Sequence, residues 1–313
     1  RPLLSSQVID YANQSLFEHP VNIRPGVYTT AKDGQLFYGG ERLRLWGSRG
    51  YGDHERIKRM GFNAWRLYPT GGKAYDAESI RTGDLQEYEK GDGSEMDRLN
   101  LNFANFKEHG IFIMGTQLMG IMPLELLVRD DSFVAGGEDW EAWKTAVKAL
   151  NKNRAAAGPT RFRQMAMVDE RARAARLRHA KNILNHVNPY TGKRYAEEEA
   201  IAIWELDNEL RFVSDLITYG GRGWPEYFQN KLQAKWNRWL VRRYENEAAL
   251  IEAWGKLRSG EKLGNVAFAP IRKERRDYPE KRGDDLVRFS IELADHFYQE
   301  LKQMAQDQAP KGV

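Results

Sequence analysis

Short apolar runs alternate with amphipathic helical segments along the first two-thirds of this chain, and that rhythm restricts its fold more than any other feature. "LRLWG" is followed by "HERIKRMGF", "NAWRLYP" by "MDRLNLNFANFKEHG", and "IFIMGTQLMG" by longer helical stretches that lead to a fourth apolar run, Ala200 to Leu206. Parallel strands need helical crossovers and are buried on both faces, so continuous apolar strands separated by helices predict an α/β chain with a parallel sheet. Ahead of the first unit, "DGQLFYGGERLRLWGSRG" reads as a hairpin over 28–47, with turns at Asp33-Gly34 and Gly39-Gly40 and a second arm that continues as the strand Leu43 to Gly47. The excursion after the third strand carries "DWEAWKTAVKALNKN" and a basic helix over 161–187.

Beyond Glu209 the rhythm stops. "WPEYFQNKLQAKWNRWLVRRYENEAALIEAWGKL" spaces Trp236, Leu240, Tyr244, Leu250 and Trp254 as a helix does, and "DDLVRFSIELADHFYQELKQMAQ" is another amphipathic helix, so 210–313 reads as mainly helical. The mixed-charge stretch "RKERRDYPEKRGDD" reads as a solvated loop.

Charge excludes some partners. Lys plus Arg number 48 against 44 Asp plus Glu, with both signs spread along the chain, so no concentrated basic stripe points to nucleic acid. No apolar run is long enough to span a bilayer, and no membrane partner is expected. There is no cysteine, which removes disulfide and thiol chemistry. The opening "RPLLSSQVID" has neither an initiator Met nor a signal-peptide core.

The segment "IAIWELDNEL" concentrates Glu205, Asp207, Asn208 and Glu209 behind a run that must be buried. In a strand-helix barrel the C-terminal strand ends converge on one mouth, where polar side chains meet a ligand. Strand alternation would put Glu205, Asp207 and Glu209 on one face. Glu205, the deepest, would then need a cation, for which Arg66 in "WRLYP" is the first candidate and Arg44 in "LRLWG" a competitor. Trp46 and Tyr68, read as ending the first and second strands, could stack on a sugar or pack in the core. His179 and His186 lie seven apart with no further His or Cys nearby, a packing pattern and not a metal site. "GGRGW" at 220–224 lacks the Lys-Ser/Thr pair of a phosphate loop, and neither metal nor cofactor is expected.

"GERLRLWGS", "GFNAWRLYP", "KEHGIFIM" and "IAIWELDNE", in that order, resemble the clan A glycoside hydrolases. "NHVNPYTGKRYAEEEAIAIWELDNE" is similar to the approach to the fourth strand in the family 5-like cellulase and mannanase group, and "WNRWLVRRYENEAALIEAWG" to a helical segment of family 42-like β-galactosidases. The resemblance implies a (β/α)8 barrel that hydrolyses β-linked oligo- or polysaccharide with retention. It makes Glu209 the general acid/base, Asn208 a donor to the sugar 2-hydroxyl, and Arg66 a support beneath the nucleophile. Acid catalysis near neutrality then requires the Glu209 proton to be held by burial or by a negative partner. A polysaccharide-type activity, with the missing cysteine and initiator Met, leans toward a secreted or periplasmic location.

The clan's nucleophile is a Glu ending the seventh strand. About 100 residues follow Glu209, against roughly 125 for four more strand-helix units, so the chain is expected to be a single, incomplete barrel domain over 1–313 with only its first four or so units. The other half and the nucleophile would come from a second polypeptide or a C-terminal continuation. Asp130, Asp131, Glu138 and Asp139 are the local acidic alternatives. Two other readings stay open: a catalytically silent carbohydrate-binding relative, or a helical scaffold that docks a partner.

Overall fold

Asp33 and Gly34, with φ of 51° and 71°, and then Gly39 and Gly40, with φ of 60° and 89°, adopt the left-handed backbone that two-residue hairpin turns require. They join β1 (Thr29–Lys32), β2 (Gln35–Tyr38) and β3 (Glu41–Leu43) into an antiparallel meander. The computed structural model describes residues 22–49, 54–67, 91–115, 124–152, 162–271 and 280–309. The expected strand from Leu43 to Gly47 is instead divided, because β3 ends at Leu43 and β4 (Gly47–Arg49) belongs to another sheet. Asn63 explains the break. Its side-chain oxygen accepts from the Trp46 N–H at 2.7 Å and its amide donates to the Arg44 carbonyl at 2.8 Å, so a carboxamide replaces the ladder.

The second sheet is parallel throughout, in the order β4, β5 (Ala64–Leu67), β6 (Phe112–Gly115), β9 (Ile201–Trp204). Helix α1 (His54–Arg59) connects β4 to β5, and α2 (Glu95–Glu108) precedes β6. The Ser94 side chain caps α2 by accepting from the Asp97 N–H, and Gly110, at φ 70°, turns the chain into β6. Between β6 and β9 lie α3 (Leu124–Leu127), α4 (Trp140–Lys152), α5 (Glu170–Asn185) and a short hairpin, β7 (Val187–Asn188) with β8 (Lys193–Arg194). The chain is α/β, with helices between parallel strands.

The chain divides into two compact units. The first comprises 1–120, 178–208 and 302–313, and the second 121–177 and 209–301. In the first, Tyr38 and Leu43 of the meander pack with Ala64, Phe112 and Ala202, and the Tyr38 ring meets Phe112 edge-on at 5.1 Å. Ala64 and Phe112 are the first residues of their strands. The meander therefore covers the N-terminal ends of the parallel strands, where Glu199 adds a polar clamp just before β9. The fully buried Glu199 accepts from the Gly26 N–H at 2.7 Å and from Lys107 at 2.7 Å, and it also pairs with Lys193.

The second unit is built on aromatic packing. Helices α6 (Phe212–Tyr219), α7 (Glu226–Arg243), α8 (Glu247–Trp254) and the greater part of α9 (Glu280–Gln308) supply it. Trp236 stacks on Trp239 at 5.5 Å and on Trp254 at 6.2 Å, and meets Phe289 at 5.2 Å. The apolar spacing that suggests one long helix is interrupted at Asn246, whose side chain accepts from the Ala249 N–H at 3.0 Å and starts α8 afresh. The expected loop "RKERRDYPEKRGDD" also differs, since from Glu280 onward its residues form the first turns of α9. Arg282 is buried there, bidentate to Glu261 at 2.8 Å and stacked over Trp254 at 4.9 Å. A charge-dense segment enters the interior when each buried charge meets a fixed opposite charge.

Candidate active site at the end of strand β9

Arg66 is the third residue of β5, in register with Met114 of β6, which is in turn in register with Ile203 of β9. Glu205, two residues after Ile203, keeps to the ladder through its N–H, which donates to the Gly115 carbonyl at 2.7 Å. Arg66, Met114 and Glu205 therefore share one face of the sheet. Arg66 reaches across the intervening strand, a span of about 10 Å that suits a long side chain. Its Nη2 donates to Glu205 Oε1 at 2.8 Å and Oε2 at 2.5 Å, and Nε lies 3.2 Å from Oε2. The same Nη2 donates to Asn208 Oδ1 at 2.7 Å. The pair is half-buried, with side chains 23% and 37% exposed, so Glu205 is less enclosed than its expected deep position implies.

Arg44 does not compete for Glu205. It is exposed, and its side chain makes no ion pair among the described residues. Strand alternation does not extend to Glu209. Regular extension ends at Trp204, Asp207 Oδ1 turns back to accept the Asn208 N–H at 3.0 Å, and Glu209 adopts a left-handed φ of 52°. This local turn brings Glu205 and Asn208 to one guanidinium, in place of the expected set of Glu205, Asp207 and Glu209. Glu209 is exposed.

Trp46 precedes β4 and does not end it. Its carbonyl accepts from the N–H groups of Asn63 and Ala64, at the start of β5, so this 66%-exposed indole belongs to the strands' N-terminal end. It stands at the opposite end of the strands from Arg66, so the structure does not bring it together with Glu205 and Asn208. Tyr68 lies outside the described residues. Of the acidic alternatives, Asp130 holds Lys144 at 2.8 Å, Asp131 holds Arg129, and Asp139 accepts from the Tyr227 hydroxyl at 2.5 Å. These carboxylates already serve local structure, whereas Glu138 is exposed.

Sequence reasoning missed the pairing of Gly115 with Trp204. A Cβ on Gly115 would lie 2.6 Å from Cε3 of that indole, so the bare backbone of β6 is what lets the ring lie over it. It also missed Glu199, whose one signal is the acidic run "AEEEA" directly before an apolar strand. Burial alone would raise the Glu199 carboxyl, but the Gly26 N–H, Lys107 and Lys193 outweigh it and hold the group at about 2. Among the described residues no cluster of His, Asp and Glu is placed to hold a metal, and no helix is long and apolar enough to cross a membrane.

A parallel α/β sheet whose fourth strand runs into Glu-Leu-Asp-Asn-Glu is the arrangement of a clan A glycoside hydrolase. The β-galactosidase family, glycoside hydrolase family 42, matches residues 151–309, just over half of the chain, and the chain belongs to that family. Of the two families whose features the sequence combines, this is the one its helical half favours. Among solved structures, the endo-β-1,4-mannanase from Thermotoga petrophila is similar at 18% identity and a TM-score of 0.34, over 87% of this chain and 67% of the mannanase. That likeness is too distant to bear on this chain's fold. No curated protein matches the sequence.

Proposed function

We propose that this chain supplies the acid/base side of a retaining glycoside hydrolase acting on β-linked sugars, with β-galactosides the first substrates suggested by its family. Glu209 protonates the glycosidic oxygen as the leaving group departs, then, as a carboxylate, takes a proton from the water that hydrolyses the glycosyl-enzyme. Asn208 directs its amide to the sugar 2-hydroxyl, and Arg66 with Glu205 positions that amide. The observation that carries this reading is the hydrogen bond from Arg66 to Asn208 one residue before Glu209. With Oδ1 taken by a guanidinium, the amide's other end is a donor, as recognition of a hydroxyl oxygen requires. The left-handed backbone of Glu209 adds support, since a non-glycine residue in that region carries about 1 kcal/mol or more of strain and such strain clusters at functional sites.

Retention needs a second carboxylate about 5 to 5.5 Å from the first. Four parallel strands are seen among the described residues, and every helix or strand after Glu209 is helical there. The proposal therefore places the four strands in the first half of a (β/α)8 barrel, with the nucleophile on a second polypeptide or a C-terminal continuation. Residues 1 to 313, purified alone and assayed on activated aryl β-galactosides, β-mannosides and β-glucosides, are expected to show no turnover. Robust hydrolysis with retained anomers, abolished by Glu209→Gln, would place both carboxylates within this chain and overturn the half-barrel. Hydrolysis unaffected by Glu209→Gln would remove the acid/base assignment.

A further inference from the structure

Helix α7 presents Lys235, Arg238 and Arg242 along one stripe to a surface cleft of about 450 Å³. Glu170 and Arg173 from the start of α5, Glu292 and His296 from α9, and the rings of Trp239 and Phe289 also line it. A volume of this order is that of a small-molecule site. The cleft's cations are not balanced from within. Glu170 is held by Lys235 at 2.7 Å, Glu292 accepts from the Trp239 indole at 2.6 Å, and Arg173 reaches Glu300 at 3.6 Å. Arg238 and Arg242, both exposed, make no hydrogen bond or ion pair among the described residues. They stand one helical turn apart, a like-charge spacing that destabilises an isolated helix. The negative end of the α7 dipole favours Arg242 in the last turn, but Arg238 lies a turn earlier, where that field has faded.

We propose that this cleft binds an acidic saccharide, a uronate-bearing chain whose carboxylate bridges Arg238 and Arg242. Two guanidinium forks suit a planar carboxylate. Glu170 and Glu292 keep lone pairs that can accept from sugar hydroxyls, whereas closely spaced phosphates would meet the same two carboxylates as repulsion. The inference rests on the reading of the chain as acting on carbohydrate and places a second, non-catalytic contact on it.

Affinity electrophoresis of the full chain at about 0.15 M salt, in gels holding polygalacturonate or neutral β-galactan, tests it. The wild-type chain is expected to be retarded by polygalacturonate and not by galactan at this site. The double variant Arg238→Gln/Arg242→Gln, at two exposed positions, should lose at least tenfold in affinity, and Glu209→Gln should lose nothing. Equal retardation of the wild-type chain and the double variant overturns the proposal. So does release by inorganic sulfate as effective as release by free galacturonate, which would identify a simple anion site. Because binding is read without turnover, polygalacturonate retardation supports the cleft whether or not this chain hydrolyses a glycoside, and the catalytic reading stands or falls separately on the aryl-glycoside assay with Glu209→Gln.

Discussion

Arg66 Nη2 lies 2.7 Å from Asn208 Oδ1 while the same guanidinium is held by both oxygens of Glu205. Glu205 thus acts on Asn208 through Arg66. The coupling is open to measurement because the side chains are partly exposed, so removing one charge leaves the other accessible to water. Arg66→Met and Glu205→Gln are each expected to lower unfolding stability by about 1 to 2 kcal/mol, as for charge-assisted bonds at a half-buried site. In the double variant the losses should fall short of additivity by about 1 kcal/mol. Urea unfolding of the four proteins measures this, and additivity within about 0.3 kcal/mol would show that the two residues do not work as a unit.

The parallel strands were legible because burial on both faces writes a continuous apolar run, and the meander because Asp33-Gly34 and Gly39-Gly40 are chemically suited to its turns. The Arg66–Glu205 pair could be anticipated from a carboxylate placed behind a buried strand. Arg66 and Asn208 could not, since their meeting depends on the turn at Asp207, and alternation says nothing once extended geometry ends. Trp46 was misplaced for a similar reason: an unbroken apolar stretch gives no sign that Asn63 interrupts the ladder. The break before α8 was writable from Asn246 as a cap, but continuous helical spacing on either side concealed it. In α9, Arg282 and Asp285 look like surface charges until Glu261 and Arg243, distant in sequence, are seen to neutralise them.

Glu199 ties the loop at Gly26, helix α2 through Lys107, and strand β8 through Lys193 to the foot of β9. Lys107 also pairs with the buried Glu198 at 2.6 Å, so two carboxylates depend on a mostly enclosed ammonium group. Removing the charge from one member of such a set leaves the rest desolvated and unbalanced. Glu199→Gln is expected to cost about 3 kcal/mol in unfolding free energy, toward the lower end for a broken buried pair. The Glu199 carboxyl stands at about 2 in the fold, below its ordinary 4.5. Its contribution is present above pH 4.5 and is lost as pH falls toward 2. A urea midpoint unchanged at pH 7 in the variant would contradict this account.

His186 titrates in a different window. Burial pushes its imidazole from 6.5 down to about 4, and the ring is enclosed by Tyr195 and by Asn100, whose Oδ1 lies 3.1 Å from Nε2. In the unfolded chain the ring gains a proton near pH 6.5, whereas in the fold it stays neutral to about 4. Its neutral form therefore contributes fully above 6.5, and the fold loses stability as pH falls through the window to 4. The loss is expected to be about 2 kcal/mol by pH 5. His186→Gln, which keeps a donor for Asn100 but does not titrate, should be less stable than wild type at pH 7.5 and close that gap at pH 5. A gap that stays constant between those two pH values would mean that His186 does not carry the dependence.

Gly115 ends β6 in register with Trp204. A methyl group there would come within 2.6 Å of Cε3 and 2.7 Å of Cζ3 of the indole, closer than carbon atoms can stand. The backbone of Gly115 does not require glycine, since its φ is not among the positive ones, so the conflict is one of space alone. Trp204 is half-buried and can swing aside, which keeps the cost of Gly115→Ala near the lower end of overpacking, about 1 to 2 kcal/mol. The displaced ring moves on the face of the sheet opposite Arg66 and Glu205. Gly115→Ala is therefore expected to lower stability by that amount and to change the Trp204 contribution to fluorescence, isolated by comparison with Trp204→Phe in the same background. If Gly115→Ala/Trp204→Phe is no more stable than Gly115→Ala alone and the emission is unchanged, the indole is not what forbids a side chain at position 115.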